Sequence, residues 1–398
     1  MTPLESAVEQ EMIACRRHLH AHPETGFEER ATAAFVAAKL AGYGLEVATG
    51  IGGTGVVGTL KRGTSRQAIG LRADMDALAI QEAGQRPHGS RNPGRMHACG
   101  HDGHMAMLLG AARLLSEDRQ LDGVVHFIFQ PAEEHGRGAK AMIADGLFTR
   151  FPMDEIYGVH NMPGIAAGRF ETRPGGMMAS EDNFVIRIQG RGAHAARPHM
   201  SIDPIVVGAE IVLALQTLVA RSLDPNAQAV VSVTEFLTDG TRNVIPGGVT
   251  LKGDTRSYAP AVQTLIQARM AALVAGICAA HGAGHEFEYT FEFEPTLNSP
   301  ECVHRAVRAA REVAGADQVD GNCPPVLASE DFGAFLLVVP GNYMFIGSGL
   351  PGEPGGVPLH SPEFDFNDNL LLPGARYFAT IAQHCLAGAP AAAVNGEA

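Results

Sequence analysis

The sequence has no tryptophan, few cysteines and too little positive charge for a polyanionic partner. Its 398 residues include 30 basic and 43 acidic side chains, which gives a formal net charge of −13. Nucleic acids and anionic membranes bind clustered Lys and Arg, so neither is expected as a partner. No apolar run approaches the roughly 20 residues that span a bilayer, and the polar start lacks the apolar stretch of a secretory signal.

The six cysteines are scattered along the chain instead of forming a dense framework. So few cysteines in so long a chain do not indicate a disulfide scaffold. We therefore predict reduced thiols and a cytoplasmic protein, with Cys99 as the one cysteine whose neighbours indicate chemistry.

The first half of the chain alternates apolar strand patterns with helical ones. "TGVVGTL", "AIGLRADM", "VVHFIF" and "EIYGVHN" are typical of buried strands, and "HMAMLLGAARLLSE" has helical spacing. Such alternation predicts an α/β sandwich with a mainly parallel sheet, whose sites form where strands end. The length favours two domains.

The middle of the chain breaks this rhythm and predicts an inserted domain over residues 184–292. The order of elements is β-α-β-β-α-β, the ferredoxin-like unit. One helix should begin at Pro204 and another near Pro260, and the second should bury a stripe of Val262, Ile266, Met270, Leu273 and Ile277. In the last strand, Phe287, Tyr289, Phe291 and Phe293 should share one face. Residues 1–183 and 293–398 then form the α/β domain, with a disordered alanine-rich tail after Gly388.

Four short stretches carry thiol, imidazole and carboxylate groups at expected strand ends. They are "CGHD" (99–102), "FQPAEE" (129–134), His160 in "YGVHN" and His360 in "PLHSPEF". Each has a plain alternative, such as a buried thiol, a solvated acidic pair or a loop histidine. Their recurrence after apolar strands favours a shared site, and the ligand types suit zinc, or manganese where oxygen ligands dominate.

A family resemblance becomes specific when these stretches are taken in order with several others. The sequence resembles the metal-dependent aminoacylase and hippurate hydrolase family, related to zinc carboxypeptidases, over almost its whole length. The stretches that carry the resemblance are "RRHLHAHPETGFEE", "LRADMDAL", "MHACGHDGHM", "FQPAEE", "GRGAHAARPHMSIDPI", "NVIP", "SEDF" and "PLHSPEF".

The resemblance implies a site for two divalent ions, zinc or manganese, with cobalt or nickel as further choices. Glu133 would be the general base and Asp76 a carboxylate that orients a ligand imidazole. We expect the adjacent glutamates to point apart because they follow a strand. His104 could act directly or cover a surface turn. The implied metal ligands are Cys99, His101, Glu134, His160 and His360.

The resemblance also implies that the inserted domain is a lid that dimerises, giving a homodimer or homotetramer. His194 would reach a substrate oxygen, often from the partner subunit. Asn243, Arg256 and His199 would bind the substrate, although Arg256 could equally pair with acidic groups near Asp254.

The implied reaction is hydrolysis of an N-acyl amino acid, such as hippurate (benzoylglycine), to a carboxylic acid and a free amino acid. A zinc dipeptidase or carboxypeptidase on the same fold is the close alternative. A non-catalytic metal-binding or interaction protein is the alternative from another class, although such proteins typically lose the base or a ligand.

Overall fold

The computed structural model describes residues 1–386, so the predicted tail after Gly388 lies outside the described residues. The chain divides into two compact units. Among the described residues, the first comprises Met1–Gly175, Asn298–Pro324 and 334–386, and the second comprises Gly176–Leu297 and Pro325–Gly333. The predicted insertion, 184–292, lies within the second unit, which extends beyond it at both ends and takes in a later segment. Its role as a lid and dimer surface stays a prediction.

Helices begin where the sequence offers good N-terminal residues. Pro3, Pro204, Pro260 and Pro300 each occupy a first helical turn, where the missing N–H costs nothing. The helices are α1 Pro3–Ala21, α2 Arg30–Gly42, α3 His101–Glu117, α4 Gly138–Ala144, α5 Leu147–Arg150, α6 Pro204–Thr217, α7 Pro260–His281, α8 Pro300–Ala314, α9 Phe332–Leu336 and α10 Leu371–Leu386.

The strands follow the apolar runs of the sequence. They are β1 Glu46–Ile51, β2 Gly55–Arg62, β3 Ala68–Asp74, β4 Gly123–Gln130, β5 Glu155–Pro163, β6 Phe170–Glu171, β7 Gly175–Met178, β8 Glu181–Gln189, β9 Ala193–His194, β10 Ala229–Thr238, β11 Val244–Ile245, β12 Gly248–Ser257, β13 Gly284–Phe293, β14 Thr296–Asn298, β15 Val319–Asp320 and β16 Gly341–Gly349.

The first unit is built on one mixed sheet whose centre is parallel, as predicted. Its strand order is β1-β2-β4-β3-β5-β16-β6-β15. β3 pairs in parallel with both β4 and β5, and β5 pairs in parallel with β16, whereas β1, β2 and β6 add antiparallel contacts. The helix α3 is buried along most of its length and packs against α1 and α10.

The register of the three central strands fixes where their carboxyl ends lie. Asp74, the last residue of β3, is paired with Gln130, the last residue of β4. On the other side, Arg72 is paired with Gly158, so His160 of β5 is level with Asp74. Residues that follow β4 and residues near the end of β5 are therefore brought to one edge of the sheet.

The second unit has the β-α-β-β-α-β order that the sequence predicts. Strands β8, β10, β12 and β13 form an antiparallel sheet in the order β10-β12-β8-β13, the arrangement of a ferredoxin-like fold. Asp203 caps α6 by accepting a hydrogen bond from the Ile205 N–H at 2.9 Å. α7 ends at Gly282, which adopts the left-handed conformation.

Two details of this unit differ from the prediction. The buried stripe of α7 runs through Ile266, Met270, Val274 and Cys278, not through the predicted Leu273 and Ile277, which are only partly buried.

In β13, Phe287 and Tyr289 pack against the core, but the side chain of Phe291 is 38% exposed. A register shift between Phe291 and Phe293 interrupts the strand alternation, so the four aromatic side chains do not form one continuous face.

Two helical segments, Pro204–Ser222 and Pro260–His281, are long and apolar enough to cross a membrane by length and composition alone. Neither segment was predicted from the sequence to span a membrane. Each buries a stripe of residues in the core of the second unit. Helices of folded soluble domains pass the same test, so this is weak evidence for a membrane span.

The buried carboxyl group of Asp182 predicts a pH-dependent stability. It accepts hydrogen bonds from Gln263 at 2.6 Å and Tyr289 at 2.9 Å, while burial raises its pKa from 3.8 to about 6. Because the pKa is raised in the folded state, the protonated carboxyl group stabilises the fold at low pH, and this contribution is lost as the pH rises through about 6. Asp182→Asn should therefore become more stable relative to wild type as the pH rises from about 4 to about 8.

Urea denaturation of both full-length proteins across this pH range measures the difference. A difference in unfolding free energy that does not change with pH would contradict the prediction.

Candidate metal centre

The five predicted metal ligands come together within the first unit. Cys99, His101 and His160 form one group whose potential ligand atoms lie within 4.8 Å of one another. Cys99, Glu134 and His360 form a second group by the same measure. Because Cys99 belongs to both groups, its thiolate would be shared between two ions if each group held one.

The backbone between Cys99 and His101 requires a glycine. Gly100 precedes α3 with a φ of 101°, in the left-handed region. A Cβ at this position would lie 2.2 Å from the Oδ1 atom of Asn161, the residue after the ligand His160. Gly100 therefore lets the chains that carry three ligands approach closely.

The two buried histidines of the first group are oriented by backbone carbonyls. The Nδ1 atom of His101 lies 2.8 Å from the carbonyl oxygen of Asp76, and that of His160 lies 2.7 Å from the carbonyl oxygen of Asn161. A carbonyl can only accept, so each Nδ1 carries a proton and each Nε2 is left as the ligand atom. The His160 Nε2 is 3.5 Å from the Cys99 sulfur.

Negative charge surrounds the free nitrogen of His101. Its Nε2 has no hydrogen-bond partner among residues 1–386, and it lies 3.9 Å from carboxylate oxygens of Asp74, Glu133 and Glu134. Burial disfavours the charged imidazole, but Asp74, Asp76 and Glu134 outweigh it and raise the pKa of His101 to about 10. A proton therefore occupies this space when no cation does, and metal binding must displace it. These residues fit a divalent cation.

The adjacent glutamates do not point apart, contrary to the prediction. They lie in a turn that follows β4, where the Gly136 N–H donates to the Glu133 carbonyl at 2.7 Å. Ala132, just before them, has a φ of 47°. In this turn both carboxylates reach His101, so the premise of an extended segment was wrong.

The other ligands also deviate from a simple position after a strand. His160 lies inside β5, not after it. His360 lies in a loop with a φ of 62°, its side chain is 52% exposed, and its Nε2 is 3.5 Å from Glu134 Oε1. Non-glycine residues rarely adopt positive φ, and such conformations cluster at functional sites.

Asp76 lies where an orienting carboxylate is expected. Its Oδ1 is 3.3 Å from His101 Nδ1, and its Oδ2 accepts a hydrogen bond from the Glu134 N–H at 3.1 Å. The His101 Nδ1–H is donated to the Asp76 backbone carbonyl and the carboxylate Oδ1 has no hydrogen-bond partner among residues 1–386, so the orienting role of this carboxylate stays a prediction.

A buried polar chain behind the ligands was largely missed by the sequence analysis. Asp74 accepts from Arg72 at 2.7 Å and pairs with His104 Nδ1 at 2.6 Å, and His104 Nε2 lies 2.7 Å from Asn161 Oδ1. His104 is buried and engaged at both nitrogens, so the surface-turn alternative is wrong. No local signal in the sequence identifies this chain of contacts, because its members come from β3, α3 and β5.

The predicted substrate residues lie in the second unit. His194, His199 and Asn243 are exposed, and β9, which carries His194, pairs with β11, directly after Asn243. The Ala196 N–H donates to His194 Nδ1 at 3.0 Å, so the neutral ring carries its proton on Nε2.

Arg256 pairs with acidic side chains, which was the alternative to a contact with substrate. Its guanidinium pairs with Asp254 at 2.7 Å and Glu181 at 2.9 Å, and it donates to Ser329 at 2.6 Å. Because these partners already engage the guanidinium, it has no free pair of N–H groups with which to bind a substrate carboxylate.

Comparison with known proteins places this geometry in context. Residues 70–384 match the family described as Peptidase family M20/M25/M40. The chain is 40% identical over 367 residues to a hippurate hydrolase from Campylobacter jejuni, covering 92% of this chain and 94% of that one. It is also 36% identical to thermostable carboxypeptidase 2 from Saccharolobus solfataricus, covering 94% and 95%. Among solved structures, a dinuclear metal-binding M20 peptidase from Bacillus subtilis has a TM-score of 0.84 at 31% identity, covering 96% and 99%.

Gly100→Ala should disrupt the metal centre, whereas Gly94→Ala should not. Both glycines have positive φ, 101° and 74°, so both variants bear the left-handed strain of about 1–2 kcal/mol. Only at Gly100 would the new methyl group meet Asn161, since nothing lies within 4 Å of a Cβ at Gly94. Bound zinc per chain after equilibrium dialysis should fall for Gly100→Ala alone. Equal zinc binding by the two variants would contradict the close packing that we infer.

Proposed function

The chain belongs to peptidase family M20/M25/M40 and is a hydrolase of amide bonds, and from this premise we propose that it cleaves N-acyl amino acids to a carboxylic acid and a free amino acid. The observation that carries the proposal is the convergence of two ligand groups on Cys99, with Glu133 beside them. The similarity to a hippurate hydrolase over almost the whole chain supports benzoylglycine and related compounds as substrates.

The proposal includes two divalent ions, held by Cys99, His101 and His160 and by Cys99, Glu134 and His360. Ions bound in this way polarise an amide carbonyl and lower the pKa of water toward neutrality. The protein contributes oriented imidazoles, a thiolate and buried carboxylates, which together balance the positive charge.

Glu133 is the proposed general base. It is 5% exposed, its Oε2 lies 3.9 Å from His101 Nε2, and it belongs to a group with His101 and Glu134 but to neither group around Cys99. A carboxylate beside the ions that is not needed as a ligand can accept a proton from water and pass it to the leaving amine.

His194 is the proposed donor to the oxygen of the scissile amide. Its Nδ1 is occupied by the Ala196 N–H, so an Nε2–H is available from an exposed position. A donor directed at developing negative charge stabilises the transition state. The proposal also takes Asn243 and His199 as substrate contacts, the second unit as the surface of a homodimer or homotetramer, and the cytoplasm as the compartment.

A carboxypeptidase or dipeptidase is the second candidate because the chain is also 36% identical to a protein named as a carboxypeptidase. Peptidases and aminoacylases can share a metal centre and differ in the pocket that receives the acyl group. The deciding experiment compares benzoylglycine and N-acetyl amino acids with dipeptides and blocked peptides, each assayed with zinc, manganese or cobalt and with a chelator.

Preferential, chelator-sensitive hydrolysis of the N-acyl amino acids supports the proposal. Preferential hydrolysis of peptides assigns the second candidate. Metal binding without hydrolysis of any substrate would indicate a binding protein.

The two glutamates should separate chemistry from metal binding. Glu133→Gln should lower kcat about 10²- to 10⁴-fold with little change in bound metal, because it removes a base and keeps the shape of the side chain. Glu134→Gln, its matched neighbour, should lower bound metal. Metal content and kcat measured on the same preparations test the assignment, and the reverse pattern would show that the two roles are exchanged.

His194→Ala should lower kcat roughly 10²- to 10³-fold and leave metal binding unchanged, as expected for one lost oxyanion donor. If the donor acts across a dimer, mixing His194→Ala with Glu133→Ala should restore activity. After random exchange, half of the dimers are mixed and one of their two sites is complete, so about one quarter of wild-type activity is expected. No recovery, with subunit exchange verified, would place the action of His194 within its own chain or remove it from catalysis.

A further inference from the structure

The two ligand groups differ in how firmly their residues are held. His101 and His160 are buried, and their Nδ1 atoms are bonded to backbone carbonyls. In the group of Cys99, Glu134 and His360, the side chain of His360 is half exposed and lies in a loop with no helix or strand. The position of this ligand therefore depends on whatever fixes the course of the loop.

We define the His360 loop as residues 358–368 and find that its end is anchored in the core. Phe364 and Phe366 are buried, and Arg16 pairs with Asp365 at 2.9 Å and with Asp368 at 2.7 Å. These contacts keep the loop attached to the first unit. They leave the turn just after His360 to be fixed by other groups.

Backbone hydrogen bonds fix part of this turn, since the His360 N–H donates to the Ala98 carbonyl at 2.8 Å and the Ala83 N–H donates to the Pro362 carbonyl at 2.8 Å. Arg86 adds side-chain contacts to the next two residues. Its NH2 donates to the Glu363 carbonyl at 2.5 Å and its NH1 donates to the Phe364 carbonyl at 2.9 Å. The planar guanidinium thus binds two consecutive carbonyls, three and four residues after His360. A lysine ammonium is a point charge without this fork.

The side chain of Arg86 is itself held in place by Glu82. Its NH1 also donates to Glu82 Oε1 at 2.8 Å, and Glu82 Oε2 accepts the Ser90 N–H at 2.5 Å. The Arg86 side chain is 22% exposed, so its hydrogen bonds are only partly accessible to water. Charge-assisted hydrogen bonds of this kind are stronger than neutral ones.

We propose that Arg86 is a positioning residue for the ion held by Cys99, Glu134 and His360. By binding the carbonyls of Glu363 and Phe364, it fixes the loop that carries His360 and so sets the affinity for this ion. It touches neither the ion nor a ligand side chain in the described contacts. The ion held by Cys99, His101 and His160 should be unaffected, because none of these residues lies in the His360 loop. This inference rests on the two-ion site of the proposed function.

The test is calorimetric titration of the metal-free, full-length protein with zinc, which requires no substrate. Wild type should bind two ions. Arg86→Ala should bind the first ion with wild-type affinity and the second about 10- to 100-fold more weakly, the usual effect of losing a contact that orients a ligand. Arg86→Lys, which can replace only one of the two bonds, should lie between them. Arg376→Ala, which breaks the pair with Glu5 at 2.7 Å elsewhere in the first unit, is the matched control and should resemble wild type.

The unchanged affinity for the first ion shows that an Arg86 variant is folded. If Arg86→Ala binds both ions as wild type does, or weakens both equally, the inference is overturned while the two-ion site stands. If wild type itself binds one ion, the two-ion site of the proposed function fails and the inference fails with it.

Discussion

The structure depends above all on four carboxylates that share a buried space with one imidazole. Asp74, Glu133 and Glu134 each place an oxygen 3.9 Å from His101 Nε2, and Asp76 lies 3.3 Å from its Nδ1. Arg72 and His104 balance part of this charge at Asp74. Uncompensated charge is costly away from water, so the arrangement is stable only with a proton or a cation at its centre. Binding of divalent ions thus follows from the same feature that makes the ion-free site costly.

Two features of the backbone bring these charges together, namely the aligned ends of parallel strands and three residues with left-handed conformation. Three parallel strands end at one edge of the sheet, which brings Asp74, the turn after β4 and His160 together. Left-handed backbone at Gly100, Ala132 and His360 then turns the chain sharply beside the ligands. The strain at Ala132 is tolerated because this residue is buried in the core, and that at His360 because its N–H donates to the Ala98 carbonyl at 2.8 Å.

Apolar periodicity predicted the fold class because it is a local property of the sequence. The family resemblance implied five ligands that the structure brings together, and their role as ligands stays a prediction. The sequence did not predict the turn at Glu133 and Glu134, since the left-handed φ of Ala132 is imposed by the tertiary structure. The pairing of Arg256 with Glu181 was open for a related reason, since two partners on different strands, β12 and β8, cannot be matched from their spacing in the sequence. Arg86 was not predicted, because two of its partners are the backbone carbonyls of Glu363 and Phe364, and the residue types in a sequence do not reveal such contacts.

The central claim is that one thiolate joins two ions in a buried carboxylate cage. Anomalous diffraction at the zinc edge from crystals grown with zinc tests it most directly. The account predicts two peaks about 3.5–4 Å apart. One should contact His101 and His160, the other Glu134 and His360, and both should contact the Cys99 sulfur. A single peak, or two peaks that do not share Cys99, would contradict the account.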